Sequence, residues 1–245
     1  MSFTIITQAR FGSSRLPGKV LMKINELTLL QIHLKRLNNV NGFEKIIVAT
    51  TIEPEADMIA SIAKKEECMV YQGAIENVLD RFYNASKLVS SNYIVRVTSD
   101  CPLIDPFLIE QVVKFTKQND FSYCKTSDFF PDGVDVEVFK KNDLEKAYLN
   151  ARLKSEQEHV TPYIRKKSKS NHTFGEFKCI EGDFSNVRIT VDELLDFNAI
   201  ELLLKKLGYK SNWLEYSKYI LTNPKLFLNQ KIIRNAGYLK SLEND

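Results

Sequence analysis

The first half of the chain alternates short apolar segments with segments of helical periodicity, and this alternation restricts the fold more than any other feature. The predicted strands are 3–7, 45–51, 68–73 and 92–100, and the predicted helices after them are 27–39, 53–67, 75–89 and 105–118. Strands joined through helices pair in parallel, and helices cover both faces of such a sheet. The sequence therefore predicts an α/β fold with its ligand site beyond the carboxyl ends of the strands.

Beyond residue 120 the periodicity is looser and indicates a mixed sheet followed by helices. We predict a strand at 134–139, helices at 141–153 and 156–167, strands near 172–180 and 186–191, and helices at 194–207 and 212–221. Neither an internal repeat nor a low-complexity linker interrupts these segments. We therefore expect one domain over residues 1–245, with a helical tail over about 211–245.

Composition excludes several classes of protein. The 245 residues are 44% hydrophobic and 27% charged, as in an ordinary globular protein. No apolar run approaches the roughly 20 residues that span a bilayer, and the N-terminus does not resemble a secretory signal, so we expect a cytoplasmic protein without a membrane partner. A net charge of +3 is too small to indicate nucleic-acid binding. Four cysteines without a C-x-x-C pair argue against structural zinc.

The segment at 8–21, QARFGSSRLPGKVL, follows the first strand and has the composition of an anion-binding loop. Gly12 and Gly18 allow close approach to the backbone, whose amides bind anions at a turn that enters a helix. Arg10, Arg15 and Lys19 add positive charge suited to phosphate. The alternative interpretation of the segment alone is a basic, solvated loop.

This loop does not match either of the common nucleotide-binding motifs. A Walker A loop has four residues between its glycines, but five separate Gly12 from Gly18 here, and Val20 takes the place of the magnesium-binding hydroxyl. The dinucleotide pattern G-x-G-x-x-G is absent from the sequence. Any metal ligands must therefore come from elsewhere in the chain.

Asp100 is the first candidate for such a ligand. It ends the apolar strand at 92–100 and precedes Pro102, so its side chain should lie at the same sheet edge as the loop at 8–21. Mg²⁺ prefers oxygen ligands and commonly uses one or two carboxylates together with substrate phosphates. The alternative role for Asp100 is a cap of the following turn.

The loop at 8–21 also resembles the N-terminal signature of the bacterial cytidylyltransferases that activate acidic sugars, such as CMP-KDO synthetase. The wider resemblance is to the spore coat polysaccharide biosynthesis protein F family. It continues in order through further segments: VLDRFYNA (78–85), RVTSDCPLIDP (96–106), PDGVDVEVF (131–139), EHVTPYI (158–164), RITVDELLDF (188–197) and RNAGYLKS (234–241). The resemblance thus spans nearly the whole chain.

The resemblance implies a nucleotide-diphosphosugar transferase-like (GT-A type) fold, a three-layer α/β/α sandwich with a mixed, mainly parallel sheet. It implies transfer of CMP from CTP to an acidic sugar or related acceptor, with release of pyrophosphate and a requirement for Mg²⁺, in surface polysaccharide or glycoconjugate biosynthesis. Residues 1–120 would bind the nucleotide and 121–210 the acceptor. The family also suggests a homodimer.

The resemblance assigns roles to individual residues. The catalytic residues would be Arg10, Lys19 and Asp100, and the metal ligands Asp100 and Asp192. The nucleotide-binding residues would be Gln8, Ala9, Arg10, Gly12, Ser13, Arg15, Lys19, Gly73 and Asp80. Because VDELLDF lacks the family's threonine–proline turn, Glu193 or Asp196 competes with Asp192 for the metal, and Asp192 has an alternative role as a helix N-cap.

Four residues are candidates for acceptor binding: Asp132, Glu137, His159 and Arg188. A strand from Val134 would point Asp135 and Glu137 in the same direction. His159 would bind an acceptor carboxylate or phosphate, or orient the acceptor oxygen, and its alternative role is a structural hydrogen bond. Arg188 would bind an anion.

Two other functions stay open at this point. A GT-A type glycosyltransferase would use a nucleotide sugar, but the sequence has no compact D-x-D motif, and its cationic loop favours a free triphosphate. A non-catalytic nucleotide-binding relative is the second alternative, which the altered VDELLDF segment favours and Asp100 disfavours.

Overall fold

A computed structural model of the protein describes residues 2–234, 236–243 and 245, so Asn235 of the RNAGYLKS segment lies outside the described residues. The strands are β1 (Phe3–Gln8), β2 (Lys23–Ile24), β3 (Leu27–Thr28), β4 (Phe43–Thr51), β5 (Met69–Gly73), β6 (Tyr93–Thr98), β7 (Tyr123–Thr126), β8 (Glu137–Lys140) and β9 (Phe174–Phe177). Seven of them form one sheet in the order β5-β4-β1-β6-β8-β7-β9, and β2 pairs with β3.

The helices lie between and after these strands. They are α1 (Leu29–Leu37), α2 (Ala56–Lys65), α3 (Val78–Ser86), α4 (Pro106–Gln118), α5 (Lys141–Asn150), α6 (Lys154–His159), α7 (Pro162–Ser170), α8 (Leu194–Leu207), α9 (Trp213–Thr222) and α10 (Ala236–Leu242). Short 3₁₀ turns occur at Lys19–Leu21, Pro224–Leu226 and Leu228–Lys231. Among the described residues, no helix combines the length and the apolar character needed to cross a membrane.

The sheet is mixed and mainly parallel, as predicted. β1 pairs in parallel with β4 and β6, and β4 with β5. β8 is antiparallel to both of its neighbours, β6 and β7, whereas β9 is parallel to β7. The parallel half follows from the alternation of strands and crossover helices.

Helices cover both faces of the sheet. Ile5 and Ile6 of β1 are fully buried and face opposite sides, because successive strand residues alternate. Ile5 packs in the cluster that contains apolar residues of α1, α4 and α8, and Ile6 in the cluster that contains those of α3 and α5. The three-layer α/β/α arrangement is therefore confirmed.

Local structure differs from the prediction in several places. The segment 186–191 is not a strand, because only one bridge, between Asp132 and Arg188, pairs it with the rest of the protein. The strand β7 was not predicted. The predicted helix at 156–167 is two helices, α6 and α7, because Val160 has a φ of +69° that ends the first.

Candidate active site

The site lies at the edge of the sheet where β1 and β6 end. Gln8 and Thr98 are neighbours in the parallel register, and the Ser99 amide donates to the Gln8 oxygen at 3.2 Å. The Ala9 amide donates to the Ala49 oxygen of β4 at 3.2 Å. The loop after β1 and the segment around Asp100 therefore meet at one edge, as predicted.

The loop after β1 folds back so that Lys19 points inward. The Gly18 amide donates to the Phe11 oxygen at 2.9 Å, which closes the loop. Gly18 has a φ of +69°, and a Cβ there would lie 3.0 Å from the Phe11 ring, so glycine fits this turn best. The 3₁₀ turn that follows begins at Lys19, which is only 8% exposed.

Lys19 joins the two predicted metal ligands. Its Nζ atom donates to Asp100 Oδ2 at 3.0 Å and to Asp192 Oδ1 at 2.9 Å. It also donates to the Val191 main-chain oxygen at 2.7 Å. Burial lowers the pKa of Lys19, but the two carboxylates more than offset it, so the pKa is raised and the ammonium stays charged. Two distant carboxylates thus converge on a single cation.

Main-chain hydrogen bonds hold the two carboxylates together. The Asp100 oxygen accepts from the Val191 amide at 2.8 Å and from Thr190 Oγ1 at 3.1 Å. The Asp100 carboxyl is 31% exposed. Burial raises its pKa, but Lys19 and a hydrogen bond from Thr98 outweigh that effect and lower the pKa to about 2. Asp100 is therefore an anion throughout the neutral range.

The other cations of the loop lie nearer to solvent. Arg15 Nη2 donates to Asp192 Oδ1 at 2.9 Å, and its side chain is 36% exposed. Arg10 and Gly12 are exposed and Ser13 is half-buried. This arrangement leaves charged groups accessible to an incoming anion.

Arg188 lies behind Asp192, in the interior, with its guanidinium surrounded by carboxylates. Its Nε and Nη2 atoms donate to Asp196 at 2.8 and 2.9 Å. Nη1 donates to Asp132 at 2.6 Å, and Nη2 also to Asp192 Oδ2 at 3.1 Å. Burial lowers the pKa of Arg188, but the carboxylates raise it by more. The pKa is therefore above its usual value, and the guanidinium stays charged. With 4% exposure, Arg188 orients Asp192 from behind.

The burial and hydrogen bonds of Asp196 argue against its alternative role as a metal ligand. It is fully buried, and its Oδ2 atom accepts from the Asp192 and Glu193 amides at 2.9 and 3.1 Å. Its Oδ1 atom accepts from Asn229 Nδ2 at 3.0 Å. The N-cap of α8 is Glu193, so the alternative role of Asp192 as that cap was also wrong.

Asp132 packs tightly against the same segment. Its amide donates to the Val187 oxygen at 2.9 Å, and its oxygen accepts from the Ile189 amide at 2.7 Å. Gly133, with a φ of +113°, permits this approach, because a Cβ there would lie 2.6 Å from main-chain atoms of Ile189. Burial and the charge of Asp135 raise the pKa of Asp132 to about 6, against the effect of Arg188.

Glu137 belongs to a second polar cluster. Its Oε1 atom accepts from Tyr123 Oη at 2.5 Å and from Thr161 Oγ1 at 2.6 Å, and its Oε2 atom accepts from Arg96. Arg96 Nη2 also donates to Gln8 Oε1 at 3.2 Å, which joins the cluster to the end of β1. Arg96 was not predicted, although an arginine inside the apolar run YIVRV is a usable signal.

The predicted strand at 134–139 begins later than expected, and Asp135 and Glu137 contact different groups. β8 begins only at Glu137, so Asp135 lies in the preceding loop and accepts from Arg234 Nη2 at 2.8 Å. The four predicted acceptor-binding residues therefore divide into two pairs. Asp132 and Arg188 lie beside the metal-ligand candidates, whereas Glu137 and His159 belong to the region of Arg96.

His159 ends α6 near the Glu137 cluster. Its Nε2 atom is buried and has no hydrogen-bond partner among the described residues. Burial lowers its pKa, and the charge of Arg96 lowers it further. The His159 ring lies edge-on to the Tyr238 ring at 4.9 Å. A neutral imidazole with a free ring nitrogen thus borders the site.

Gly73 and Asp80 are the remaining predicted nucleotide-binding residues. Gly73 lies in a crowded loop, whereas Asp80 pairs within its own helix. A Cβ on Gly73 would lie 2.8 Å from the Tyr71 ring and 3.1 Å from Arg81 Cγ. Arg81 is buried and donates to the oxygens of Ala74 and Ile75, which fixes the loop after β5. Asp80 Oδ1 accepts from Asn84 Nδ2 at 2.9 Å, one turn along α3.

His33 connects this site to the core and gives a testable pH dependence. It is fully buried, its Nδ1 donates to the Cys101 oxygen at 2.9 Å, and its Nε2 accepts from Thr7 Oγ1 at 3.0 Å. Burial lowers its pKa to about 4. The unfolded chain therefore binds this proton first as the pH falls.

We expect His33 to contribute about 3 kcal/mol of stability that is complete above pH about 6.5 and is lost as the pH falls to about 4. Urea unfolding across this range should show a shallower pH dependence in His33→Gln than in the wild type. His172→Gln is the control, since His172 is exposed. Equal slopes for wild type and His33→Gln would contradict the expectation.

Comparisons with known proteins found relatives in sequence and in structure. The chain is 32% identical over 215 residues to the spore coat polysaccharide biosynthesis protein SpsF of Bacillus subtilis, covering 83% of this chain and 86% of that protein. The structure matches a cytidylyltransferase from Leptospira borgpetersenii with a TM-score of 0.88 and 31% identity, covering 96% of this chain and all of the other.

A more distant match concerns the fold alone. A CMP:2-keto-3-deoxy-manno-octonic acid synthetase complexed with CTP has a TM-score of 0.63 at 16% identity, over 84% of this chain and 99% of the other. These neighbours confirm the predicted nucleotide-diphosphosugar transferase-like (GT-A type) fold. The sequence model described as cytidylyltransferase matches residues 4–220. The chain therefore belongs to the cytidylyltransferase family and is a nucleotidyltransferase.

Proposed function

We propose that the enzyme transfers CMP from CTP to an oxygen of an acidic sugar or a related acceptor, releases pyrophosphate and requires Mg²⁺. The observation that carries the proposal is the convergence of Asp100 and Asp192 on Lys19 Nζ, beside the exposed cations of the loop after β1. A triphosphate needs both cations and metal-binding carboxylates, and this edge of the sheet offers them together.

The two carboxylates fit a magnesium ion. Mg²⁺ typically takes one or two carboxylates and completes its shell with water and substrate phosphates. Asp100 and Asp192 lie close enough together to bind one ammonium nitrogen, at 3.0 and 2.9 Å, so they would hold the ion. Bound there, Mg²⁺ would neutralise phosphate charge and orient the triphosphate.

The residues of the chain then act by position and charge. The acceptor oxygen forms a bond to the α-phosphorus, the bond from that phosphorus to pyrophosphate breaks, and the acceptor hydroxyl gives its proton to solvent. Arg10, Arg15 and Lys19 would stabilise the charge that grows on the leaving pyrophosphate, and amides near Ala9–Ser13 would hold the nucleotide. This role requires Lys19 to exchange its carboxylate partners for phosphate.

The second polar cluster would bind the acceptor. Arg96 and the free Nε2 atom of His159 suit an acidic substrate, and the hydroxyls around Glu137 suit its alcohols. The names of the relatives support this substrate class, since one makes a CMP derivative of a sugar acid and another serves polysaccharide synthesis. We assign Arg188 to orienting Asp192, because three carboxylates already occupy its guanidinium.

A nucleotide screen followed by an acceptor screen tests the proposal. With Mg²⁺, CTP should raise the melting temperature more than UTP or ATP, since a ligand that binds only the folded state stabilises it by mass action. Sugar acids should then support pyrophosphate release. Absence of any CTP response, or release of a nucleoside diphosphate from a nucleotide sugar, would contradict the proposal. Light scattering would test the homodimer that the family suggests.

A further inference from the structure

The C-terminal segment, residues 234 and 236–243, belongs to the RNAGYLKS motif, to which the proposed function gives no role. Arg234 anchors its start: Nη1 donates to the Asp128 and Phe130 oxygens at 3.0 Å each, and Nη2 to Asp135 at 2.8 Å. The segment thus begins beside the loop that precedes β8 and Glu137.

The same segment continues to α6. Tyr238 of α10 meets the His159 ring at a centroid distance of 4.9 Å and an angle of 89°, an edge-to-face contact. The Tyr238 hydroxyl accepts from Arg165 Nη2 at 3.0 Å, which fixes the tyrosine from the other side. Beyond the segment, the Asp245 carboxylate accepts from the amide and hydroxyl of Ser155, at 2.8 and 2.5 Å. Tyr238 and Asp245 are therefore bound by residues on both sides of His159 in the sequence, Arg165 and Ser155.

The backbone that carries His159 is strained. Val160 has φ +69° and ψ −54°, and the Thr161 amide donates to the His159 oxygen at 2.7 Å, which defines a γ-turn of the rare, strained type. A fully buried, β-branched residue is costly in this conformation. Such strain persists where surrounding contacts hold it, and it occurs preferentially at functional sites.

The turn places two side chains at the acceptor side of the site. On one side of Val160, Thr161 donates to Glu137, and on the other, His159 has its buried Nε2 atom without a partner among the described residues. Buried polar atoms in native proteins are nearly always paired, so the Nε2 atom of His159 is available for a hydrogen bond to a bound molecule. The His159 imidazole must be held in place for that atom to be useful.

We propose that Tyr238 is a positioning residue for the acceptor, which fixes the His159 imidazole, and that the C-terminal segment forms one wall of the acceptor site. This inference rests on the proposed function for the identity of the acceptor side. Tyr238 acts through His159: its ring packs against the imidazole and leaves Nε2 free for a carboxylate or hydroxyl oxygen of the acceptor. The hydrogen bonds of Arg234 hold the C-terminal segment against the loop before Glu137.

The first test needs no acceptor. In protein labelled with ¹⁵N-histidine, Tyr238→Ala should shift the imidazole signals of His159, because the ring-current contribution of the tyrosine is lost and the imidazole gains freedom. Tyr238→Phe, which keeps the ring, should leave the His159 signals at their wild-type positions. Leu239→Ala is the matched control on the same helix, since Leu239 is exposed. The signals of His33 and His172 serve as internal references.

The second test separates acceptor from nucleotide. With the acceptor that supports pyrophosphate release, Tyr238→Ala should raise the KM for that acceptor about tenfold while the KM for CTP stays within about twofold. Unchanged His159 signals in Tyr238→Ala, or equal changes in both KM values, would overturn the inference. If the wild type fails to bind CTP, the proposed function fails, and the His159 signals still decide whether Tyr238 positions the imidazole.

Discussion

Replacing Asp100 with asparagine should reduce pyrophosphate release by at least about 10³-fold and leave the fold intact. Asparagine keeps the shape of the side chain but removes a charge that is present at every pH above about 2. The proposed metal loses one of two carboxylate ligands, and Lys19 loses one of two charged partners. Because the main-chain oxygen of Asp100 still accepts from Val191 and Thr190, the segment should keep its path.

The matched control is Asp120→Asn. Asp120 also pairs with one lysine, Lys140 at 2.7 Å, but it lies in the loop between α4 and β7, at the opposite edge of the sheet. Its φ of +50° suits asparagine, so the control should fold and keep full activity. The measurements are pyrophosphate release and the Mg²⁺-dependent rise in melting temperature with CTP. Near-normal turnover by Asp100→Asn would remove Asp100 from the metal site.

The parallel half of the fold could be predicted from the sequence because its strands are continuous apolar runs. β1, β4 and β6 are buried by helices on both faces, and β5 at the sheet edge is partly buried, which leaves a strong periodic signal. β7 was missed because it has only four residues, one of them lysine, and because one of its partners, β9, lies far along the chain. The segment 186–191 has the composition of a strand, but Asp132 supplies its single bridge.

Part of the candidate site could also be predicted from the sequence, and part of it could not. Lys19, Asp100 and Asp192 were predicted from motifs. Lys19 and Asp100 follow β1 and β6, whose ends share an edge, and the hydrogen bond from the Val191 amide to the Asp100 oxygen brings Asp192 to them. The surroundings of Arg188 could not be predicted, since one of its three carboxylate partners, Asp132, lies 56 residues earlier in the sequence and meets it only in the folded chain. The contact between Tyr238 and His159 could not be predicted either, because the two residues lie far apart in the sequence.

Replacing Arg188 with methionine should destabilise the protein by about 3–5 kcal/mol, because it leaves buried carboxylates without their cation. Asp196 is fully buried and Asp132 nearly so, and each accepts a hydrogen bond from the guanidinium. A loss of this size should lower the melting temperature by about 10 °C. Arg152→Met is the control, since Arg152 is exposed and donates only to main-chain oxygens, and its cost should stay within about 0.5 kcal/mol.

A double mutant separates charge from shape in this cluster. Adding Asp196→Asn to Arg188→Met removes the most buried of the unpaired carboxylates, so the double mutant should recover about 1–3 kcal/mol relative to the sum of the single changes. The recovery should not extend to catalysis, since Asp192 still lacks the hydrogen bond from Arg188 that orients it. If the double mutant regains stability and pyrophosphate release together, Arg188 contributes only to stability, and catalysis does not need its hydrogen bond to Asp192. If stability returns without activity, the buried arginine is there to hold the metal ligand in place.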